Sequence, residues 1–331
     1  MSQKLYIFRP LFKERIWGGR ELSVYKQMEA VGDGIGESWE LSGLSGDETC
    51  VEQGPYAGLT LTQLVERERE ALVGKKVYER FGSNFPLLVK FIDAEQDLSV
   101  QVHPNDELAQ QRHGCCGKSE MWVVVKTQEG AHLLSGFNTQ VTVEEYEQRV
   151  ANSTLHEVLN RYEVKPGDVF FLPSGRVHSI GAGCLICEIQ QSCDITYRIY
   201  DHGRVDAQGR PRQLHIEEAR EAIDFTPSRD AAIQSAVLDG APQTLVESPY
   251  FTTRRILLSR TLSMDVSEKD TFVVYVCLRG QCAIQSEGEE VMLSTGHTVM
   301  LAANAKEVTI RPESETEFLE VYINDKLNPN E

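Results

Sequence analysis

The chain lacks the features that would take it out of water. Its 331 residues contain no run of about 18 apolar residues, the length a membrane-spanning helix needs. Met1 to Pro10 has no continuous apolar stretch of the kind that drives export, so the cytoplasm is the expected location. Positive charge is in short supply: Lys and Arg total 33 against 50 Asp and Glu, a net charge of -17. That balance suits neither nucleic acid nor an anionic membrane as a partner, although it leaves room for a local basic pocket. Paired Cys motifs are missing too. Of eight Cys, only Cys184 and Cys187 form a C-x-x-C, and it sits inside an apolar strand that would send the two thiols to opposite faces. Without an export signal, the cysteines are expected to be free thiols. What remains is an ordinary globular composition, 41% apolar and 25% charged, long enough for one large or two moderate domains.

Residues 1 to 58 mix short strand-like runs with Gly-rich turns around Trp17-Gly18-Gly19 and Gly36-Glu37-Ser38-Trp39-Glu40. Residues 60 to 81 read as helix, with Leu61, Leu64, Val65, Leu72 and Val73 as an apolar stripe and Gly82 as a C-cap. Strands are expected at Pro86 to Asp93 and Ser99 to His103, and Met121 to Lys126 reads as paired with Ala131 to Phe137. Thr142 with Glu145 opens a short helix as a capping box. Strands return from Gly167 to Tyr200, and Gln213 to Ile223 is helical. After a Pro-containing connection over residues 225 to 247, residues 248 to 325 read as a small all-β module with turns at Arg279-Gly280, Glu287-Gly288 and Thr295-Gly296. The run Pro166 to His178 has a degenerate echo at Gly296 to Glu307, in which Glu307 stands in the place of His178. The predicted architecture is mainly β: a metal-binding domain over residues 1 to 235 with accessory helices, and a metal-free β domain over residues 236 to 331.

Polar residues recur on every second position in three strands, which places them on one face. Ser99, Gln101 and His103 share a face, as do Lys118 and Glu120, and then Asp194, Thr196 and Arg198. Their neighbours are largely Val and Ile, which suit the opposite, buried face. The stretch Gly167 to His178 fits the cupin pattern G-x5-P-x-G-x2-H, whose turn at Pro173 and Gly175 starts the next strand with an inward His. Gln101, His103, Glu120 and His178 form a two-nitrogen, two-oxygen set that suits zinc with an open position, while two His and one carboxylate also describe a non-haem iron site.

The order and spacing of Gln101-Val102-His103-Pro104-Asn105-Asp106, Gly117-Lys118-Ser119-Glu120-Met121, the cupin run and Thr196-Tyr197-Arg198 resemble the type I mannose-6-phosphate isomerases of short bacterial form. The Trp17-Gly18-Gly19 and Gly36 to Glu40 motifs match as well, and the likeness covers residues 5 to about 225 well and the rest loosely. It implies two cupin-like β-barrels of jelly-roll type, one Zn2+ per chain held by Gln101, His103, Glu120 and His178, and interconversion of mannose 6-phosphate and fructose 6-phosphate. It also implies Arg198 as the active-site arginine, Lys118 and Asp194 at catalytic positions, and Ser99 at a substrate or phosphate contact. Some members carry His directly before the lysine; Gly117 stands there in this chain, so no ring-opening histidine is implied.

Aldose–ketose isomerisation moves a proton between adjacent carbons through an enediol, and it needs a base and a positive group at the developing oxygen. Arg198 with the metal fits the second need. Asp194 and Glu188 are rival bases, Glu188 because alternation in the Cys187 to Gln191 strand turns it inward with Gln190. The phosphate is expected at Ser99 and Lys118, with Lys90 and Arg198 as further donors. Two other readings use the same residues: an Fe(II)-dependent cupin oxygenase and a non-catalytic sugar-phosphate sensor. A monomer or weak homo-oligomer is expected.

Overall fold

The computed structural model describes residues 3–28, 32–206, 208–228, 232–233 and 238–324. Two β-sandwiches stand back to back. The first faces a six-stranded sheet, built on Glu120–Thr127, Cys184–Gln191 and Leu87–Ala94 with Val169–Leu172, Leu11–Gly19 and Ile35–Leu41, against a five-stranded sheet. That second sheet runs Leu159–Glu163, His132–Phe137, His178–Ile180, Val100–Val102 and Tyr197–Tyr200. The other sandwich has six strands over four, all but one of them from residues 243–322. The exception is Leu5–Tyr6, which pairs with Thr298–Leu301 and so crosses from the start of the chain into the far sandwich. The expected boundary at residues 235 and 236 lies outside the described residues.

The cupin-like, mainly β architecture stands, but the barrels are open. Each unit is a sandwich whose two sheets do not join into one ring among the described residues. Period-two alternation explains the layering. Along Cys184–Gln191, Leu185, Cys187 and Ile189 enter the core shared with the other sandwich, whereas Ile186 faces the interior of the first. Glu188 and Gln190 share the parity of Ile186. Cys184 and Cys187 accordingly lie in different cores, and all eight cysteines are free. From the other side, Val274, Val276, Leu319 and Val321 fill the shared core, while Val273, Tyr275 and Phe318 face the interior of the second sandwich.

Two expectations fail locally. Met121 to Lys126 and Ala131 to Phe137 are not partners: Glu120–Thr127 pairs within the six-stranded sheet, and His132–Phe137 with strands of the opposite one. The turn at Gly130 (φ 81°) carries the chain from one layer to the other, a crossing that alternation alone does not distinguish from a hairpin. The helix over residues 60–81 is three pieces, Leu61–Glu68, Glu70–Val73 and Lys75–Phe81, broken at Arg69 (φ 48°) and Gly74 (φ 95°). At Gly74 the backbone passes so close to the second sandwich that a Cβ would stand 2.2 Å from Asp270 O. The Asp270 carboxylate accepts from Lys75 N and Lys76 N at 2.7 and 3.1 Å, satisfying the opening donors of the last piece. Elsewhere Thr142 caps Val143–Ala151 by accepting from Glu145 N, and the Glu287-Gly288 turn has positive φ at both residues, as a tight hairpin needs.

The sequence echo at Gly296 is a structural repeat. Across the first six-stranded sheet, Phe170, Trp122, Glu188 and Lys90 stand opposite one another in register. Shifted by the same 129 positions that align Gly167 with Gly296, Phe170 becomes Val299. In the second sheet Val299, Tyr275, Glu320 and Arg254 stand in the same sequence of pairings. A cation, a carboxylate and an aromatic ring are kept in both. The place of Glu120, opposite Leu172, is taken by Val273, opposite Leu301, and the place of His178 by the exposed Glu307.

Candidate active site and metal centre

Two rows of side chains meet inside the first sandwich. On the five-stranded sheet, Arg198, Gln101, His178 and Ser135 lie opposite one another on successive strands. On the six-stranded sheet, the facing row is Trp39, Lys90, Glu188, Trp122 and Phe170. The Trp122 ring meets the His178 ring edge-on at 5.3 Å, bridging the layers.

His178 opens its strand after the Pro173 and Gly175 turn, where φ of 84° at Gly175 suits glycine. His103 follows Val100–Val102, held by Pro104 and by the Asn105 cap of the helix Asp106–His113. Both rings turn Nδ1 to a backbone carbonyl, His103 to Ile195 O at 2.9 Å and His178 to Arg176 O at 2.8 Å. Each therefore presents Nε2 inward, a tautomer fixed by its outer partner. Glu120 lies between them, Oε2 at 3.5 Å from His103 Nε2 and Oε1 at 3.3 Å from His178 Nε2. The donor atoms of all three lie within 4.8 Å of one another, and all three residues are buried. Gln101 joins them through its amide nitrogen, 3.3 Å from His178 Nε2, while Ser99 Oγ donates to Gln101 Oε1 at 3.2 Å.

This cluster is electrostatically unfinished. His103 Nε2 and both Glu120 oxygens are buried without a hydrogen-bond partner. Lys118 Nζ stands 3.1 Å from Glu120 Oε2, an ionic contact rather than an aligned hydrogen bond. Burial pushes the Glu120 carboxyl up, helped by Glu188 and opposed by Lys118 and Lys90. Burial keeps both imidazoles neutral, His178 down to about 4 and His103 well below its ordinary value. Neutral Nε2 lone pairs and a poorly compensated carboxylate are what a divalent cation satisfies. The residues present fit a metal.

Above the cluster is a cavity of about 450 Å³, walled by Ser99, Gln101, Lys118, Glu188, Asp194, Thr196 and Arg198. Every substrate and catalytic candidate read from the sequence therefore opens on one space. Lys90 lies in its wall, 2.9 Å from Glu188. Burial works against the Lys90 charge, but Glu188, Glu37 and Asp194 overcome it and hold its pKa above the ordinary range. Glu188 is buried too; Lys90 and Lys118 overcome that cost and keep its carboxyl below the usual range, and Trp122 Nε1 donates to it at 2.6 Å. Arg198 is half-buried, with Nη1 donating to Gln213 O at 2.9 Å and Nε buried without a partner. Asp194 is exposed to the cavity.

The wall also contains residues that strand reasoning did not single out. Arg15 bonds Glu37 at 3.0 Å, Arg212 bonds Asp201, and His215 Nδ1 accepts from Arg198 N at 3.2 Å. Alternation of Lys13, Arg15 and Trp17 along Leu11–Gly19 carried a signal for Arg15. Nothing comparable marked Arg212 or His215, which lie in an irregular segment.

The fold and site define a cupin-type sandwich with a buried metal-type donor group under a polar, cation-rich cavity. The phosphomannose isomerase type I catalytic domain matches residues 5–146, and the mannose-6-phosphate isomerase cupin domain residues 241–323. Mannose-6-phosphate isomerase ManA of Bacillus subtilis (strain 168) is 38% identical over 284 residues, 85% of this chain and 87% of that protein. A crystal structure of the mannose 6-phosphate isomerase from Bacillus subtilis superposes with a TM-score of 0.84 at 29% identity, covering 97% of this chain and 99% of that one. A zinc-bound mannose 6-phosphate isomerase shares the fold at TM-score 0.79 and 16% identity, over 97% of this chain and 100% of that one. The chain belongs to the type I phosphomannose isomerase family, and it is an enzyme of the aldose–ketose isomerase class.

Proposed function

We propose that the protein interconverts D-mannose 6-phosphate and D-fructose 6-phosphate through an enediolate, with one Zn2+ held by Gln101, His103, Glu120 and His178. The observation that carries this reading is the group of buried, unpartnered donor atoms on His103 and Glu120 beneath a cavity rich in cations. Bound there, zinc supplies a Lewis acid that polarises a sugar oxygen.

The chain's own residues do the rest. Arg198 directs its guanidinium into the cavity, anchored at Gln213 O, and stabilises the enediolate oxygens. Asp194 takes the proton from C2 of the open-chain aldose and returns it to C1, and Lys118 passes a proton to and from the carbonyl oxygen. Glu188, fixed between Lys90 and Trp122, serves the substrate as a binding group and not as the base, because Lys90 and Lys118 hold its carboxyl below the usual range. Ser99 contacts the sugar phosphate, and Lys90 adds positive charge to the wall. Eight free thiols suit a reducing compartment, and we place the enzyme in the cytoplasm.

A coupled assay for fructose 6-phosphate formed from mannose 6-phosphate tests the reaction. Run in D2O, it should place solvent deuterium on the transferred position. Turnover with no exchange under any condition would favour direct hydride transfer over the enediolate, and no turnover by zinc-loaded enzyme would sink the assignment.

A further inference from the structure

Three thiols meet where the two loops that carry Lys118 and Asp194 touch. Cys115 and Cys116 follow the helix Asp106–His113 and lead through Gly117 into Lys118. Cys193 lies in the connection between Cys184–Gln191 and Tyr197–Tyr200, directly before Asp194. The Cys116 thiol donates to Ser192 O at 3.3 Å, and Cys193 Sγ accepts from Ile195 N at 3.4 Å. The Cys193 thiol lies next to both Cys116 and Cys115 and shifts the titration of each. Next to the thiols the same two loops are stitched by Ser119 N to Gln191 Oε1 at 2.8 Å and by Gln191 N to Ser119 O at 3.1 Å.

The cluster has its own way in. A second cavity, of about 810 Å³, lies on the far side of these loops and is lined by Cys115, Cys116, Ser192, Arg80 and Tyr250. It shares no lining residue with the catalytic cavity. Cys115 and Cys116 are half-buried at its wall, and Cys193 is buried behind them. The three differ in reactivity. The neighbouring Cys193 thiol outweighs burial and holds the Cys116 thiol below its ordinary range. The same pairing and burial push Cys193 up, and burial pushes Cys115 up to about 11. A small oxidant entering the second cavity therefore meets its best nucleophile at Cys116, whose thiol is hydrogen-bonded to the carbonyl directly before Cys193.

We propose that Cys116 and Cys193 form a peroxide-driven thiol switch that ties the Lys118 loop to the Asp194 loop and slows the enzyme. The Cys116 thiolate attacks a hydroperoxide, breaking its O–O bond, and leaves as sulfenic acid while the hydroperoxide is reduced to alcohol or water. The Cys193 sulfur then attacks the Cys116 sulfur, an S–S bond forms, and hydroxide departs with the Cys193 proton as water. Two thiols lose two electrons in total, and a dithiol reductant restores them by exchange. The consequence reaches the chemistry through short covalent links. Cys193 Sγ gives up its contact with Ile195 N, while Ile195 O is the group that orients His103.

The activity arm rests on the isomerase reading; the chemical arm does not. Zinc-loaded enzyme should be treated with limiting hydrogen peroxide, assayed, and digested without reduction for peptide mass mapping. The expected result is a linked Cys116–Cys193 peptide with turnover reduced about tenfold or more, as displaced catalytic groups usually cause, and restored by dithiothreitol. Cys116→Ser and Cys193→Ser should both resist peroxide, and Cys115→Ser should respond as the unaltered enzyme does. Should Cys193→Ser fail to fold, Cys116→Ser at the half-buried position carries the test. No linked peptide, a linked peptide without loss of turnover, or equal loss in Cys116→Ser overturns the switch. An enzyme that never turns over when reduced but still forms the linked peptide overturns the isomerase reading instead.

Discussion

At the scale of single residues, the site works because buried charge is arranged in opposed pairs. Lys90 with Glu188 and Arg15 with Glu37 are matched, whereas the His103, Glu120 and His178 group has Lys118 beside it and still leaves His103 Nε2 and both Glu120 oxygens without a hydrogen-bond partner. Replacing His178 with Ala should abolish stoichiometric zinc, read by elemental analysis, together with turnover. A zinc-free variant that keeps its rate would place the metal elsewhere. Arg198→Ala should instead keep its zinc and lose kcat by about 10²-fold, the usual cost of one group at a developing oxyanion; a normal kcat would reduce Arg198 to a wall residue. Glu37 sets an acid limit on stability. Burial raises its carboxyl, but Lys90 and Arg15 outweigh that and bring it to about 2. Because the folded pKa lies below the ordinary 4.5, the stabilisation is complete above that value and is lost as pH falls through about 2. That shift is worth about 3 kcal/mol at neutral pH. Thermal unfolding of Glu37→Gln should thus lose much of this slope between pH 5 and 2 while being less stable at pH 7. An unchanged pH profile would mean that Glu37 does not carry it.

At the scale of elements, strands were readable and their partners less so. His103, Glu120 and His178 could be found because alternation and the Pro173 and Gly175 turn act within a dozen residues. The metal-type group they form spans three strands, and the order Arg198, Gln101, His178 across the sheet is set by pairings between residues up to about a hundred positions apart. Sequence periodicity carries no such information, which is why Glu120–Thr127 and His132–Phe137 read as a hairpin yet lie in opposite layers. Arg212 escaped notice because it lies in an irregular segment where no period marks the inward face, and His215 because the helix read from Gln213 begins only at Ile216. The helix breaks had a local cause that only the packed structure reveals. Gly74 combines φ of 95° with the backbone of Asp270 against it. Gly74→Ala should therefore destabilise the fold by about 2 kcal/mol or more, measured by denaturant unfolding. A change within about 0.5 kcal/mol would show that the three helical pieces can shift away from the second sandwich.

At the scale of the whole molecule, one core belongs to both sandwiches. Phe272, Val274, Val276, Leu319 and Val321 from the second unit are packed with Phe85, Val89, Phe91 and Val123 from the first. Removing the second unit exposes that face. Each such side chain contributes roughly 1.5–3 kcal/mol, so five of them rival the whole net stability of an ordinary domain, about 5–15 kcal/mol. A chain ending near residue 240 should fail to give a cooperative unfolding transition; a folded, zinc-binding fragment would show that the shared core is dispensable. The repeat explains why the metal-type donor group is found in the first sandwich and not at the matching place in the second. Both units keep the row of cation, carboxylate and aromatic ring, but Val273 and Glu307 occupy the places of Glu120 and His178, so the second interior is closed by packing and ion pairs.

The central proposal is that the His103, Glu120 and His178 group holds zinc. The direct measurement is turnover of mannose 6-phosphate by enzyme stripped with a chelator and then titrated with zinc, with bound metal counted at each point. Activity should vanish on stripping and return in proportion to zinc, saturating at one ion per chain. Full activity in enzyme shown to be metal-free, or zinc bound at one per chain with no return of activity, would contradict it.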